Sequence, residues 1–167
     1  MNLLATGQAH DILGMSGYSF AICSAVQREA IFLRPSDPHA QPELVRLETL
    51  IGPGLLSVLD LDTEEEKTLF IDYASQLDDG EAMSIALALS RGFLLATDDQ
   101  KARRLFIETT KDANRLLFTS QILKTWATSN SIDKDKLKAI LSQVTLRARF
   151  YPAKNDAEHQ WWSDAVR

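Results

Sequence analysis

The side chains whose type and placement could do chemistry here are carboxylates. Glu29, Glu81 and the pair Asp98-Asp99 each stand near the edge of an apolar run. Carboxylates drawn together in a cleft repel one another, and some stay protonated unless a cation joins them. A hard divalent ion such as Mg²⁺ or Mn²⁺ takes carboxylate oxygens while keeping several waters. Such an ion polarises a phosphodiester and lowers the pKa of a bound water, which is the chemistry of metal-assisted phosphodiester hydrolysis. Each acid also has a plainer reading. Glu81 suits the positive end of a helix dipole, Asp98 and Asp99 are favoured helix caps, and Glu29 reads as a solvated helix residue.

Other reactive groups offer less. Lys101, Arg103 and Arg104 follow the aspartates and read either as phosphate contacts beside an acidic pocket or as a solvated helix face. Arg147, Arg149 and Lys154 read as scattered surface charge. His10, His39 and His159 fall in no metal-ligand spacing. The single cysteine, Cys23, excludes an internal disulfide framework and a Cys-rich zinc site, and reads as a buried thiol. Ser24 and Ser84 have no histidine nearby in the sequence to form a hydrolase triad. Gly52-Pro53-Gly54 matches no phosphate-binding glycine loop. Trp161-Trp162 reads as core packing, with a base-stacking platform as the sharper alternative.

The elements that must position these groups alternate. Tyr18–Cys23 reads as a buried strand and Ala25–Phe32 as a helix. Arg34–Pro42, with Pro35, Pro38 and Pro42, reads as a loop, and Gly52-Pro53-Gly54 is a second break. Leu55–Leu61 reads as a strand. Thr63 through Glu66 has a capping-box pattern, and Leu69, Phe70, Tyr73, Ala74 and Leu77 fall on one face of the helix that follows. Asp78-Asp79-Gly80 breaks that helix and starts another, on which Ala82, Ile85, Ala86 and Leu89 share a face. Gly92 fits its stop. Phe93–Ala96 predicts a central strand, then a helix over about Gln100–Glu108, a strand at Arg115–Phe118 and a helix over Ser120–Thr128. Leu137, Ile140, Leu141 and Val144 mark a further helix capped by Ser131 or Asp133. A last one is expected from Asp156 to Ala165. Strands alternating with helices imply a mostly parallel sheet covered on both faces, with ligand sites beyond the carboxyl ends of its strands.

Composition bounds the rest. The 167 residues are 45% hydrophobic and 25% charged, as in one soluble globular domain. No apolar run approaches the roughly 18 residues of a membrane span. The net charge of −5 excludes a whole-surface basic footprint for nucleic acid but leaves a local patch open. The N-terminus has neither a basic n-region nor a long h-region, so no signal peptide is expected and a cytoplasmic, reducing location is.

Longer stretches carry more than spacing. Leu77-Asp78-Asp79-Gly80-Glu81-Ala82-Met83-Ser84-Ile85-Ala86-Leu87-Ala88 resembles the D-x-G-E-A-x-x-I-A-L-A helix of PIN-like nucleases. Gly92 through Arg103 resembles the family's L-L-x-T-D-D-x-x-A-R strand and turn, and Ala21 through Glu29 is similar to its V-x-x-x-A-V-x-x-E segment. Leu116–Trp126 also fits, so the resemblance spans most of the chain. Its nearest branch is the prokaryotic one with a longer C-terminal tail, which includes toxins of VapC-type toxin–antitoxin pairs. The resemblance implies a single three-layer α/β/α domain over residues 1–167, with 131–167 as a helical C-terminal extension. It also implies a Mg²⁺- or Mn²⁺-dependent endoribonuclease whose catalytic and metal-holding acids are Glu29, Glu81 and Asp98 or Asp99, with Asp99 slightly preferred. RNA is the implied substrate, with a cognate antitoxin protein and a homodimer as implied partners. The match departs at the start. PIN-like chains open with a strand ending in a central aspartate, followed by an L-I-N-L-L-A-x-G stretch. Here Met1–Gly7 matches only the second part. Either the natural start lies upstream or the chain is a degenerate member that binds protein or RNA without cutting. As written, weak or no cleavage is expected.

Overall fold

The computed structural model describes every residue except Ala30, Ser36 and Pro38. In chain order its elements are α1 (Ala9–Met15), β1 (Phe20–Cys23), α2 (Ser24–Arg28), β2 (Phe32–Leu33), β3 (Glu43–Leu44), α3 (Glu48–Ile51) and β4 (Leu56–Leu59). There follow α4 (Glu64–Ala74), α5 (Asp79–Ser90), β5 (Leu95–Ala96), α6 (Gln100–Thr110), β6 (Leu116–Leu117), α7 (Thr119–Ser129), α8 (Lys134–Ala148) and α9 (His159–Val166). The fold is mixed α/β with short sheets. β1 pairs with β4 and β5 with β6, both parallel, while β2 and β3 pair antiparallel.

The chain divides into two compact units. One holds residues 20–29 and 56–118 and is built around α5. That helix has apolar side chains on every side, as a helix without a solvent face must. Ala82, Ile85 and Ala88 bury against Tyr73, Leu95, Ala102, Phe106 and Leu116. On another side Met83 and Leu87 bury against Cys23, with Val26, Leu59 and Phe70 packed around them. Of the face expected from periodicity, Ala82, Ile85 and Ala86 are buried and Leu89 is partly buried, while α5 also buries Gly80, Met83, Leu87 and Ala88. Its start is fixed by Asp78, whose carboxylate accepts from the Glu81 N–H at 2.8 Å, and its end by Gly92 at φ +69°.

The capping box before α4 is present, with Thr63 and Glu66 exchanging backbone hydrogen bonds. Glu66 does more than cap. It is 2% exposed, accepts from Asp62 N–H at 2.7 Å and takes a 2.6 Å bond from Arg91 Nε. Arg91 also donates to the Asp60 carbonyl and to Asp62. One buried ion pair thus ties the start of α4 to the end of α5.

Several expected elements are shorter than their runs: Tyr18–Cys23 is confined to Phe20–Cys23, Leu55–Leu61 to Leu56–Leu59 and Arg115–Phe118 to Leu116–Leu117. The Phe93–Ala96 strand is confined to Leu95–Ala96, and Phe93 and Leu94 are 45% and 46% exposed. The Phe93 N–H is taken by the Ala88 carbonyl in the turn that ends α5, and its own carbonyl accepts from Arg115 at 2.9 Å. Neither group is left for a sheet ladder. The helix expected over Ala25–Phe32 stops at Arg28, with Glu29 extended at φ −73°, ψ 138°. Phe32 and Leu33 instead pair with Leu44 and Glu43, and Leu33 is buried. Ala30, within that span, and Ser36 and Pro38, within the expected Arg34–Pro42 loop, lie outside the described residues; the remainder of that loop is irregular.

The other unit holds residues 1–19, 30–55 and 119–167. Its core includes Ile12, Leu50, Ile122, Leu123, Trp126, Leu141, Val144 and Trp162. α8 is capped by Asp133, which accepts from the Asp135 and Lys136 N–H groups. α9 begins at His159 and not at Asp156, because the Asp156 carboxylate is engaged by the Ser120 hydroxyl at 2.9 Å and the Glu158 N–H at 2.7 Å. Trp162 is fully buried, edge-on to Phe150 at 5.5 Å, which settles it as core packing.

Candidate functional site

The acids come together at the N-terminus of α5. β1 ends at Cys23, whose thiol lies 3.5 Å from the Gly80 carbonyl. The same carbonyl accepts from the Ser84 hydroxyl at 2.7 Å. These contacts hold the first turn of α5 against the end of β1. The short α2 then delivers Glu29 to that turn. An ideal Cβ built on Gly80 would stand 2.6 Å from Glu29 Oε1 and 2.9 Å from Val26 Cγ2. Only glycine lets the carboxylate approach so closely.

Glu81, three residues past its cap, is half-buried. Its pKa is raised, first by burial and then by the like charges of Asp78, Asp99 and Glu29, while Lys101 opposes them. Carboxylates from three separate segments thus act on one side chain. Asp99 arrives because β5 ends at Ala96 and the chain turns into α6. Thr97 Oγ1 accepts from the Asp99 N–H at 3.1 Å, and Asp99 Oδ1 caps α6 at the Ala102 N–H, 2.8 Å away. Asp99 is both a cap and a member of the cluster.

The sequence-predicted residues separate on this geometry. Glu29, Glu81 and Asp99 share one electrostatic environment, and Asp98, beside Asp99 in the chain, is half-buried. Asp78 also belongs to the cluster, whereas the sequence marks it as the break between two helices and part of the D-x-G-E-A stretch, not as a site acid. Its N-cap spacing to Glu81 was the available signal. Lys101 is the basic residue tied to the cluster, and its ammonium donates to the Gln76 carbonyl. Arg103 lies over the Phe118 ring at 4.9 Å, a packing role. Arg104 approaches Glu108 at 3.9 Å across two well-exposed side chains.

Glu29, Asp78 and Asp99 are exposed around the half-buried Glu81, so the cluster is open to ligands. It offers carboxylate oxygens alone, the donors a hard divalent cation takes. Among the described residues, however, no three His, Cys, Asp or Glu side chains are gathered closely enough to hold a metal ion as they stand. Nor is any helix there long and apolar enough to cross a membrane. Compared with protein-family models, curated proteins and solved structures, the chain matches none.

Proposed function

We propose that this chain is a PIN-like protein of the endoribonuclease class, its site formed by Glu29, Glu81 and Asp99 with Asp78 beside them. The observation that carries the reading is geometric: Gly80 leaves room for the Glu29 carboxylate against the first turn of α5, where burial and then the charges of Asp78, Asp99 and Glu29 raise the Glu81 pKa. Asp78 and Asp99 each cap a helix, but capping does not require Glu29 and Glu81 beside them, and perturbed acids of this kind concentrate at functional sites. The reading extends to a three-layer α/β/α arrangement in which the two parallel pairs belong to one sheet.

Glu29, Glu81 and Asp99 are the residues that would hold Mg²⁺ or Mn²⁺, directly or through water. Such an ion would supply phosphodiester polarisation and a water of lowered pKa. The chain's own groups do the rest. Glu81, with its raised pKa, takes and releases a proton nearer neutrality than an ordinary carboxylate. Lys101 offers a positive charge next to the acids, where an RNA phosphate would otherwise be repelled. An antitoxin partner would meet the same acids with an arginine or lysine.

The second reading is a PIN-like module that binds protein or RNA without cutting. It is favoured by the spacing of the acids: among the described residues no three are gathered closely enough to hold a metal ion as they stand. An RNA-cleavage assay with Mn²⁺ or Mg²⁺, on this chain and on a form extended upstream in its natural reading frame, separates the two. Cation-dependent cleavage lost on Glu81→Gln or Asp99→Asn supports the nuclease. No cleavage by either form, with the fold intact and Mn²⁺ leaving the Glu81 carboxyl resonance unmoved, supports the module.

A further inference from the structure

Lys101 stands where its own helix gains nothing from it. α4 and α5 carry acids in their first turns, whereas the first turn of α6 holds Lys101 and no acid. A cation there faces the positive end of the helix dipole, which disfavours it. The other two bases of that stretch have local partners: Arg103 lies over the Phe118 ring and Arg104 approaches Glu108. Lys101 reaches off its helix instead. Its ammonium donates to the Gln76 carbonyl, in the connection between α4 and α5. That connection is fixed, since the Gln76 and Leu77 N–H groups both bond to the Tyr73 carbonyl at 2.9 Å. Gln76 lies two residues before Asp78, the cap of α5, and Lys101 two residues after Asp99, the cap of α6. The ammonium therefore bridges the two helix starts that bring the acids together, and its charge opposes the carboxylates acting on Glu81.

We propose that Lys101 is the resident cation of the acid cluster, an intramolecular counter-ion that a divalent ion must displace to load the site. The inference rests on the reading of Glu29, Glu81 and Asp99 as an ion site and names how that site is regulated. It also accounts for the spacing of the acids. Mg²⁺ draws oxygens to about 2.1 Å in near-octahedral order. An ammonium is a compact charge on a flexible stem, and it offsets carboxylates set around it without gathering them into a shell. Among the described residues no three acids are gathered closely enough for a metal ion as they stand, an arrangement that suits an ammonium. Loading then means that the Gln76 bond opens, the acids close on the ion, and the released ammonium becomes the charge that meets a phosphate. Lys101 is exposed, so its stem swings without unpacking the core.

The test is a Mg²⁺ titration of the wild-type chain, K101M and K111M, followed through the backbone amides of Glu81 and Ala102 by ¹H–¹⁵N NMR. K101M keeps the apolar stem and removes the charge. K111M removes the same charge from the exposed far end of α6. K101M should bind Mg²⁺ about five- to tenfold more tightly than wild type, the effect of one unit charge a few ångströms away in a solvated site. K111M should match wild type. The second readout is the Gln76 carbonyl ¹³C resonance, which Mg²⁺ should move in the wild-type chain toward its position in ion-free K101M. Equal affinity in wild type and K101M, an equal gain in K111M, or a Gln76 resonance that ion loading leaves unmoved would each overturn the displacement while leaving the acids an ion site. No Mg²⁺ binding by any of the three would overturn this inference and the ion-site reading together.

Discussion

Replacing Gly80 by alanine tests how the acid cluster is built. The new methyl would stand 2.6 Å from Glu29 Oε1 and 2.9 Å from Val26 Cγ2. Ordinary contact begins near 3.4 Å, so the oxygen must retreat by roughly 0.8 Å and the valine methyl by at least about 0.5 Å. The carboxylate can do this by rotating, since it ends a flexible side chain. The valine cannot, because a β-branched residue in a helix has one strongly preferred rotamer. Strain therefore falls on α2, a five-residue helix with no side-chain cap. Overpacking costs about 1–3 kcal/mol, against which alanine returns at most about 1 kcal/mol of helix propensity. The net expectation is a loss of about 0.5–2 kcal/mol. The same displacement moves Glu29 away from Glu81 and removes one of the charges that raise it. Urea denaturation gives the first quantity and ¹³C-carboxyl NMR titration of Glu81 the second. A G80A protein as stable as wild type, with Glu81 titrating where it did before, would refute the close approach on which the site was built.

Further expectations follow from the same contacts. Arg91→Met strands a fully buried carboxylate and should cost about 3–5 kcal/mol in urea denaturation at pH 7. Glu66 is held at about 2, chiefly by the Arg91 hydrogen bond, against an ordinary 4.5. That depression stabilises the fold fully above pH 4.5 and is lost as pH falls toward 2, a change of about 3 kcal/mol that R91M should largely erase. Glu81 has the opposite sign: its raised pKa makes ionisation costly in the folded state, so Glu81→Gln should stabilise the protein at pH 7 and not at pH 4, checked by thermal melts at both. Asp99→Ala should cost about 1 kcal/mol as a lost cap and lower the Glu81 pKa, which ¹³C-carboxyl NMR titration reads. Charge reversal at Lys101 and Arg104 should weaken RNA in a gel-shift assay, and unchanged affinity would remove the phosphate-contact role.

Local chemistry was legible wherever a few adjacent residues decide the outcome. Thr63 with Glu66, Asp78 with Glu81, Asp133 before α8 and Gly92 after α5 are determined by hydrogen bonds over three or four residues, and all stand as their types dictate. Phe93-Leu94 misled because apolarity alone marks them as strand. The backbone groups of Phe93 go to Ala88 and to Arg115, which is 22 residues away. Phe32 misled in the opposite sense, expected in a helix but drawn into a strand by its non-local pairing with Leu44. In the site, Glu29, Glu81 and Asp99 were visible as acids at element boundaries, but their mutual influence depends on Gly80 leaving room and on Cys23 meeting its carbonyl. The partner of Glu66 was invisible, since Arg91 lies 25 residues on and nothing local couples the two. The bonds between Arg34 and Arg147, 113 residues apart, were equally invisible.

The order of the two units along the chain bears on synthesis. Residues 20–29 and 56–118 are complete once residue 118 has emerged, whereas the other unit needs segments from both ends of the chain. Asn2 waits for Thr119, and the Met15 carbonyl for Asn130. At ordinary translation speeds that delay is about 5–25 s. Through it the segments 1–19 and 30–55 wait for 119–167, while the α5-centred unit can already close. One unit can thus finish folding during synthesis, and the other only near its end.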